Sequence, residues 1–364
     1  MKKSQRLNGV AAAVLLAGQI VNSTAAAEFN QTVQQAYELR IQGKADAAET
    51  LLTGYLSENP TQAAAWYELA RTRHHIGLGN PRTMIEGIDE QWKAIEQAVR
   101  NDPDNIIYAF YKAHAGSLRA YASFKMQKPD VRDRLEEAIA AYEAVLRLKP
   151  DFHEAKLQLI ETLNAPADIG GNPAKAEMYT KELEEADPVF GAMAREIIMP
   201  DDADYIAFWT EVLENNRNNT DVLERLGKAY LYKNQPEQGI EYLKEAIRMD
   251  AGKNSLHLDI GRYYMYQAMR DPQSLEASAP KIEEAFNAYL QSKPDPINPM
   301  KAYVKYHLSA IRQHMGDTDA AVQLRNEAEA LDPNGSKATG VPSPILFTPP
   351  NELPRVFTYY SRPF

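Results

Sequence analysis

Residues able to do chemistry are spread thinly through this chain of 364 residues. It has no cysteine, which excludes a thiol nucleophile, a Cys-held metal and a structural disulfide. No P-loop, G-x-G-x-x-G, H-E-x-x-H or G-x-S-x-G pattern occurs. Paired acids stand at Asp102-Pro103-Asp104 and Asp201-Asp202, at turns between helices, where Asp is expected to cap the next helix. Seven histidines remain. His74 and His75 are adjacent and so point in different directions on a helix. His307 and His314 are two turns apart, about 10 Å along the axis. Neither pair has a carboxylate that completes a ligand motif, so no metal and no cofactor is expected.

The elements that must position these residues are clearest from Thr220 to Lys253. Two short amphipathic segments flank the turn Lys233-Asn234-Gln235-Pro236. The first carries Leu226-Gly227-Lys228-Ala229-Tyr230, and the second carries Gly239, Leu243 and Ala246. Small residues at Gly227, Gly239 and Ala246 let two helices approach closely, while Leu223, Leu226, Tyr230 and Leu243 fill the space between them. The stretch resembles a tetratricopeptide repeat, whose signature is L-G-x2-Y, a small residue, an aromatic and a proline. One such unit cannot bury its own apolar face, so the resemblance implies neighbours.

A helix-ending proline recurs at Pro60, Pro103, Pro150, Pro188, Pro294 and Pro333, with Ala251 in that place in Thr220–Lys253. Most intervals exceed the roughly 34 residues of a plain repeat. The interval from Pro188 to Ala251 is nearly double and reads as two units. Trp66-Tyr67-Glu68-Leu69-Ala70 opens the second unit, and Ile260-Gly261 with Tyr264 marks the seventh. About eight units therefore cover 28–335. The expected fold class is all-α, a right-handed solenoid of helix-turn-helix pairs with a concave face lined by the first helix of each pair. Inserts in the second, third and seventh units, near Asn80-Pro81, Met126 to Asp130 and Pro272 to Pro280, imply long helices in the third unit. They should also project along one edge as a second docking surface.

Aligning the units puts a set of polar and aromatic residues on the expected concave side. These are Tyr67, Arg71, His74, His75, Phe110, His114, Arg225, Lys228, Tyr232, Arg262, Tyr266, Tyr306, His307 and His314. Arg71 and His114 occupy equivalent positions, as do Lys228 and Arg262. Such a surface can grip an extended peptide by aromatic stacking and by donors to carbonyls or carboxylates. Some tetratricopeptide-repeat proteins bind C-terminal carboxylates through Lys and Asn at set positions. The asparagines are missing here, so that function is not implied.

The two ends differ from the middle. Lys2, Lys3 and Arg6 precede the apolar stretch Val10 to Val21, followed by Ala25-Ala26-Ala27, the pattern of a signal peptide cleaved after Ala27. With no cysteine, export suits a Gram-negative periplasm. No other stretch is long and apolar enough to span a membrane. Residues 336–364 are rich in proline and aromatics (Pro342, Pro344, Phe347, Pro349, Pro350, Phe357, Tyr359, Tyr360) and suit an extended strap or a flexible tail rather than a helix. A net charge of −10 makes nucleic acid a poor partner. The sequence thus points to a non-catalytic periplasmic scaffold holding a protein or peptide partner of the cell envelope. The alternative is a small-molecule or metal-binding accessory of a transporter or envelope enzyme.

Overall fold

The structure is a computed structural model that describes residues 31–79, 81–338 and 340–353, without the side chains of 81–86. The signal-like segment and the aromatics from Phe357 onward lie outside the described residues. Sixteen α-helices follow in order along them, with no strand. They are α1 (31–41), α2 (Ala45–Glu58), α3 (Ala63–Gly77), α4 (Pro81–Asn101), α5 (Ile106–Lys125), α6 (Val131–Leu148), α7 (His153–Leu163) and α8 (Pro173–Ala186). Then come α9 (Pro188–Ile198), α10 (Tyr205–Asn215), α11 (Thr220–Tyr232), α12 (Pro236–Met249), α13 (Leu256–Arg270), α14 (Leu275–Leu290), α15 (Asn298–His314) and α16 (Thr318–Leu331). Each odd-numbered helix opens a unit of the solenoid.

Polar residues fix where these helices start. Asn105, Asn172, Asp187, Asp204, Asn219 and Asp317 each accept a backbone N–H from the first turn of the following helix, and Pro173 and Pro188 sit just inside. The paired acids do not take this role. Asn105 caps α5 and Asp204 caps α10, each a residue or two after the acids singled out by sequence. Asp102 instead accepts from the Asn105 side chain at 2.9 Å.

In the α11/α12 pair, a Cβ on Gly227 would lie 2.9 Å from the Gly239 carbonyl oxygen, so the two backbones do meet through glycine. The turn between them is tied to the next unit, because Tyr263 Oη and Gln267 Nε2 donate to Asn234 Oδ1 at 2.7 and 3.0 Å. The fifth unit differs. α9 packs on α8 and α7, α10 packs on α11, and α9 and α10 meet through buried Trp209, whose Nε1 donates to Glu196 at 3.0 Å. A large aromatic keeps apart two helices that glycine lets touch elsewhere.

The inserts are helical rather than separate loops. Residues 81–90 are the first turns of α4, and Pro280 lies inside α14 after a single 3-10 turn at Pro272–Ser274. The extra residues lengthen helices, as they also do in α5 and α6.

The last unit docks on the first two. Asn298 Nδ2 at the start of α15 donates to the Gln42 carbonyl at 3.1 Å. Gly43, at φ +81°, turns its missing side chain toward Leu331, where a Cβ would fall 1.9 Å from the carbonyl oxygen. His75 on α3 meets Asp332 just beyond α16. The helical array is therefore closed on itself.

Candidate functional site

The tail runs back across the first helices of the first two units. Ile345 and Leu346 are fully buried, and Phe347 packs against the apolar clusters of both ends of the chain. Tyr37 Oη on α1 donates to the Phe347 carbonyl at 2.8 Å. Arg71 Nη1 on α3 donates to the carbonyls of Thr348 at 2.5 Å and Ile345 at 3.4 Å.

Beneath the strap lies a buried ion group. Glu68 takes Arg40 Nε at 2.8 Å through one carboxylate oxygen and Arg71 Nε at 2.9 Å through the other, with a second, shorter bond from Arg71 Nη2. All three side chains are wholly buried. Two guanidinium groups on one carboxylate leave a positive charge, which the strap's carbonyl dipoles and the ring of Tyr67, 4.5 Å from Arg71 Cζ, help to satisfy. Arg40 Nη1 and Nη2 have no hydrogen-bond partner and lie by the rings of Tyr37 and Phe347 instead, at 5.8 and 5.9 Å from Cζ. Burial pulls the Arg40 guanidinium below its ordinary value, against the pull of Glu68.

The histidines do not form a metal site. His75 Nε2 is 2.6 Å from Asp332 Oδ2, both buried, with the Phe347 ring edge-on at 5.5 Å. His74 joins a different network, with Gln91 Nε2 at 3.3 Å and Tyr111 Oη at 3.4 Å from its Nδ1. Burial, then the neighbouring His114 and His75, push His74 down to about 3, and burial pushes His114 down to about 4. These rings are neutral at ordinary pH. Among the described residues no group of three His, Asp or Glu stands where a metal could be held.

The remaining residues expected in a groove have several fates. Tyr67 and Phe110 are fully buried, Phe110 against Phe152 and Tyr142, so neither lines an open surface. Arg225 pairs with Glu196 at 2.9 Å. Lys228 lies between Glu224 at 2.6 Å and Asp259 at 3.1 Å, and Lys253 also reaches Glu224. Burial would raise Glu224, but Lys228 and Lys253 together bring it down to about 2. Those cations serve the structure and do not wait for a ligand. Tyr232 is half-buried beside Tyr205. An open patch is left where α13 meets α15. Arg262 is 41% exposed and Tyr266 38%. Half-buried Tyr306 and His307 stand beside them; burial, eased by a backbone hydrogen bond at Ala338 and helped by Arg262, holds His307 down at about 4.

Sequence reasoning missed Arg40, Glu68 and Tyr37 as the strap's seat, and Asp332 as the partner of His75. A charged pair at adjacent inner positions of the first two units was the available signal. Nothing local announces a contact across more than 250 residues.

Residues 220–253 match the family described as "Tetratricopeptide repeat". That stretch is a tetratricopeptide repeat. The matched stretch is the α11/α12 pair, and the other units of the repeat array flank it on both sides. No curated protein matches the chain. Among solved structures the repeat array is similar to a tetratricopeptide repeat protein from Parabacteroides merdae, with 13% identity over 83% of this chain and 98% of that one and a TM-score of 0.41. It is also similar to yeast Tom70 (14% identity, 84% and 76% covered, TM-score 0.35) and to a human IFIT1 dimer with PPP-AAAA (16%, 83% and 79%, 0.38).

Proposed function

We propose that this chain is a non-catalytic scaffold of the bacterial cell envelope that binds an extended segment of a protein partner on the open part of its first-helix face. The observation that carries this is the strap. The first helices hold a tail segment of the chain itself, a single 3-10 turn at Pro344–Leu346, through side-chain donors to its backbone carbonyls, with the adjacent side chains of Ile345 and Leu346 buried. The same face continues onto α13 and α15, where Arg262, Tyr266 and Tyr306 offer a donor and rings that no described residue of the strap covers. The paired carboxylates of Glu68 and Glu224 and the neutral rings of His74 and His114 support the non-catalytic reading. Export rests on the signal-like start, with cleavage expected after Ala27.

Site-specific photo-crosslinking in whole cells tests the surface. A photoreactive side chain at Tyr266 or Tyr306 should capture a discrete partner, and one at Tyr67 or Phe110 should capture none. Capture from the buried positions alone, or from none of the four, overturns the assignment.

A further inference from the structure

A second surface lies between α5, α6 and α7, away from the described residues of the strap. It is a groove of about 390 Å³, within the range of sites that hold small ligands. Its walls are mainly apolar, from Leu118 and Phe124 on α5, Leu135 on α6 and Ile169 after α7. Phe124 is 48% exposed and Tyr121, also on its rim, 57%. These two aromatics of α5 do not turn inward here, although the chain has a well-filled core elsewhere.

The polar groups at the groove differ in one respect. Thr162 and Ser117 bond to each other at 3.2 Å, and Thr162 also donates to the Gln158 carbonyl at 2.7 Å. The side chain of Glu161, half-buried at the groove, makes no hydrogen bond or ion pair to any described residue. Burial pushes its carboxyl up to about 7, and Arg225, the cation that acts against this, is itself held by Glu196 at 2.9 Å. A carboxyl drawn partly out of water without a protein donor gains from a ligand that brings one.

We propose that this groove is a binding site for an apolar primary amine, its ammonium on Glu161 and its hydrocarbon against Leu118, Phe124, Leu135 and Ile169. An ammonium supplies three donors to a carboxyl that no described side chain bonds, and the hydrocarbon covers the exposed apolar surface of Phe124. This site is independent of the peptide surface on α13 and α15.

The probes are 1-naphthylmethylamine and its isosteric alcohol, 1-naphthylmethanol, titrated into the full chain and followed by ligand fluorescence and calorimetry. The amine should bind at least tenfold more tightly than the alcohol. Glu161→Gln keeps the volume of the site and should bring the two probes to within about twofold, with alcohol binding retained as the sign of an intact groove. Equal affinities in the native chain, an unchanged amine preference in Glu161→Gln, or no binding of either probe at millimolar concentration each overturns the proposal.

Discussion

Arg71, His114, Lys228 and Arg262 occupy equivalent positions in their units, yet they do four different things. Arg71 holds the strap, His114 sits neutral at a groove, Lys228 lies between two carboxylates, and Arg262 reaches solvent. What separates them is the neighbouring unit, which decides whether the position is dry. The dry ones give the protein a characteristic response to acid. His74 is held at about 3 and His114 and His307 at about 4, below their ordinary value of 6.5. The unfolded chain therefore takes up these protons first. Stability is whole above pH 6.5 and is lost as pH falls toward the folded values. At pH 4 the contribution of His74 alone is about 3 kcal/mol. Glu224, held at about 2 against an ordinary 4.5, adds a second window that opens only below pH 4.5. Thermal unfolding followed from pH 8 to 3 should show a fall beginning near 6.5. His74→Gln should flatten its upper part and Glu224→Gln only its lower part. Identical profiles in all three chains contradict the assignment.

At the scale of the helix, two glycines make opposite forecasts. A Cβ on Gly239 would fall 2.8 Å from the Gly227 carbonyl oxygen, so α11 and α12 would have to part. A Cβ on Gly54 of α2 would meet nothing within 4 Å. Alanine is the better helix former by about 1 kcal/mol, which overpacking of about 1–3 kcal/mol outweighs at the first site but not at the second. Urea denaturation should therefore show Gly239→Ala losing stability and Gly54→Ala gaining up to about 1 kcal/mol. A gain in both, or a loss in both, counts against this account of the pairing. The α11/α12 pair was legible in the sequence because its signals are local: small residues at helical spacing, an Asn cap at Asn219, and Pro236 just inside a helix. Pro280 misled for a complementary reason. A proline in the second turn of α14 removes a single backbone bond, a loss that packing of Ile282, Ala285 and Phe286 can outweigh. The groove residues were placed on the correct helices, but burial depends on which unit or strap covers them, and spacing within one repeat carries no record of that.

At the scale of the whole molecule, a repeat array normally lets each unit touch only its neighbours, so that its ends are free. Here the ends meet through His75 and Asp332, Asn298 and Gln42, and a strap whose Phe347 packs on both. Closure couples units that nearest-neighbour packing would leave independent. It also covers Glu68, Arg40 and Arg71, three charges that would otherwise lie under a thin apolar layer. A chain ending after Ser343 would lose Ile345 and Leu346, each worth about 1.5–3 kcal/mol when fully buried, together with the carbonyl acceptors of Arg71. The expected result is a loss of several kcal/mol concentrated at the seam. Hydrogen exchange should accelerate in α1, α3 and α15, and stay nearly unchanged in α12, which no described residue of the strap touches. Acceleration spread evenly over all the helices would mean that the strap sets global stability rather than holding a seam. No acceleration anywhere would mean that the strap rests on a surface that is already complete. Between these outcomes lies the arrangement the contacts describe. The tail acts as the last packing layer of the first two units, and the open face begins only beyond it, on α13 and α15.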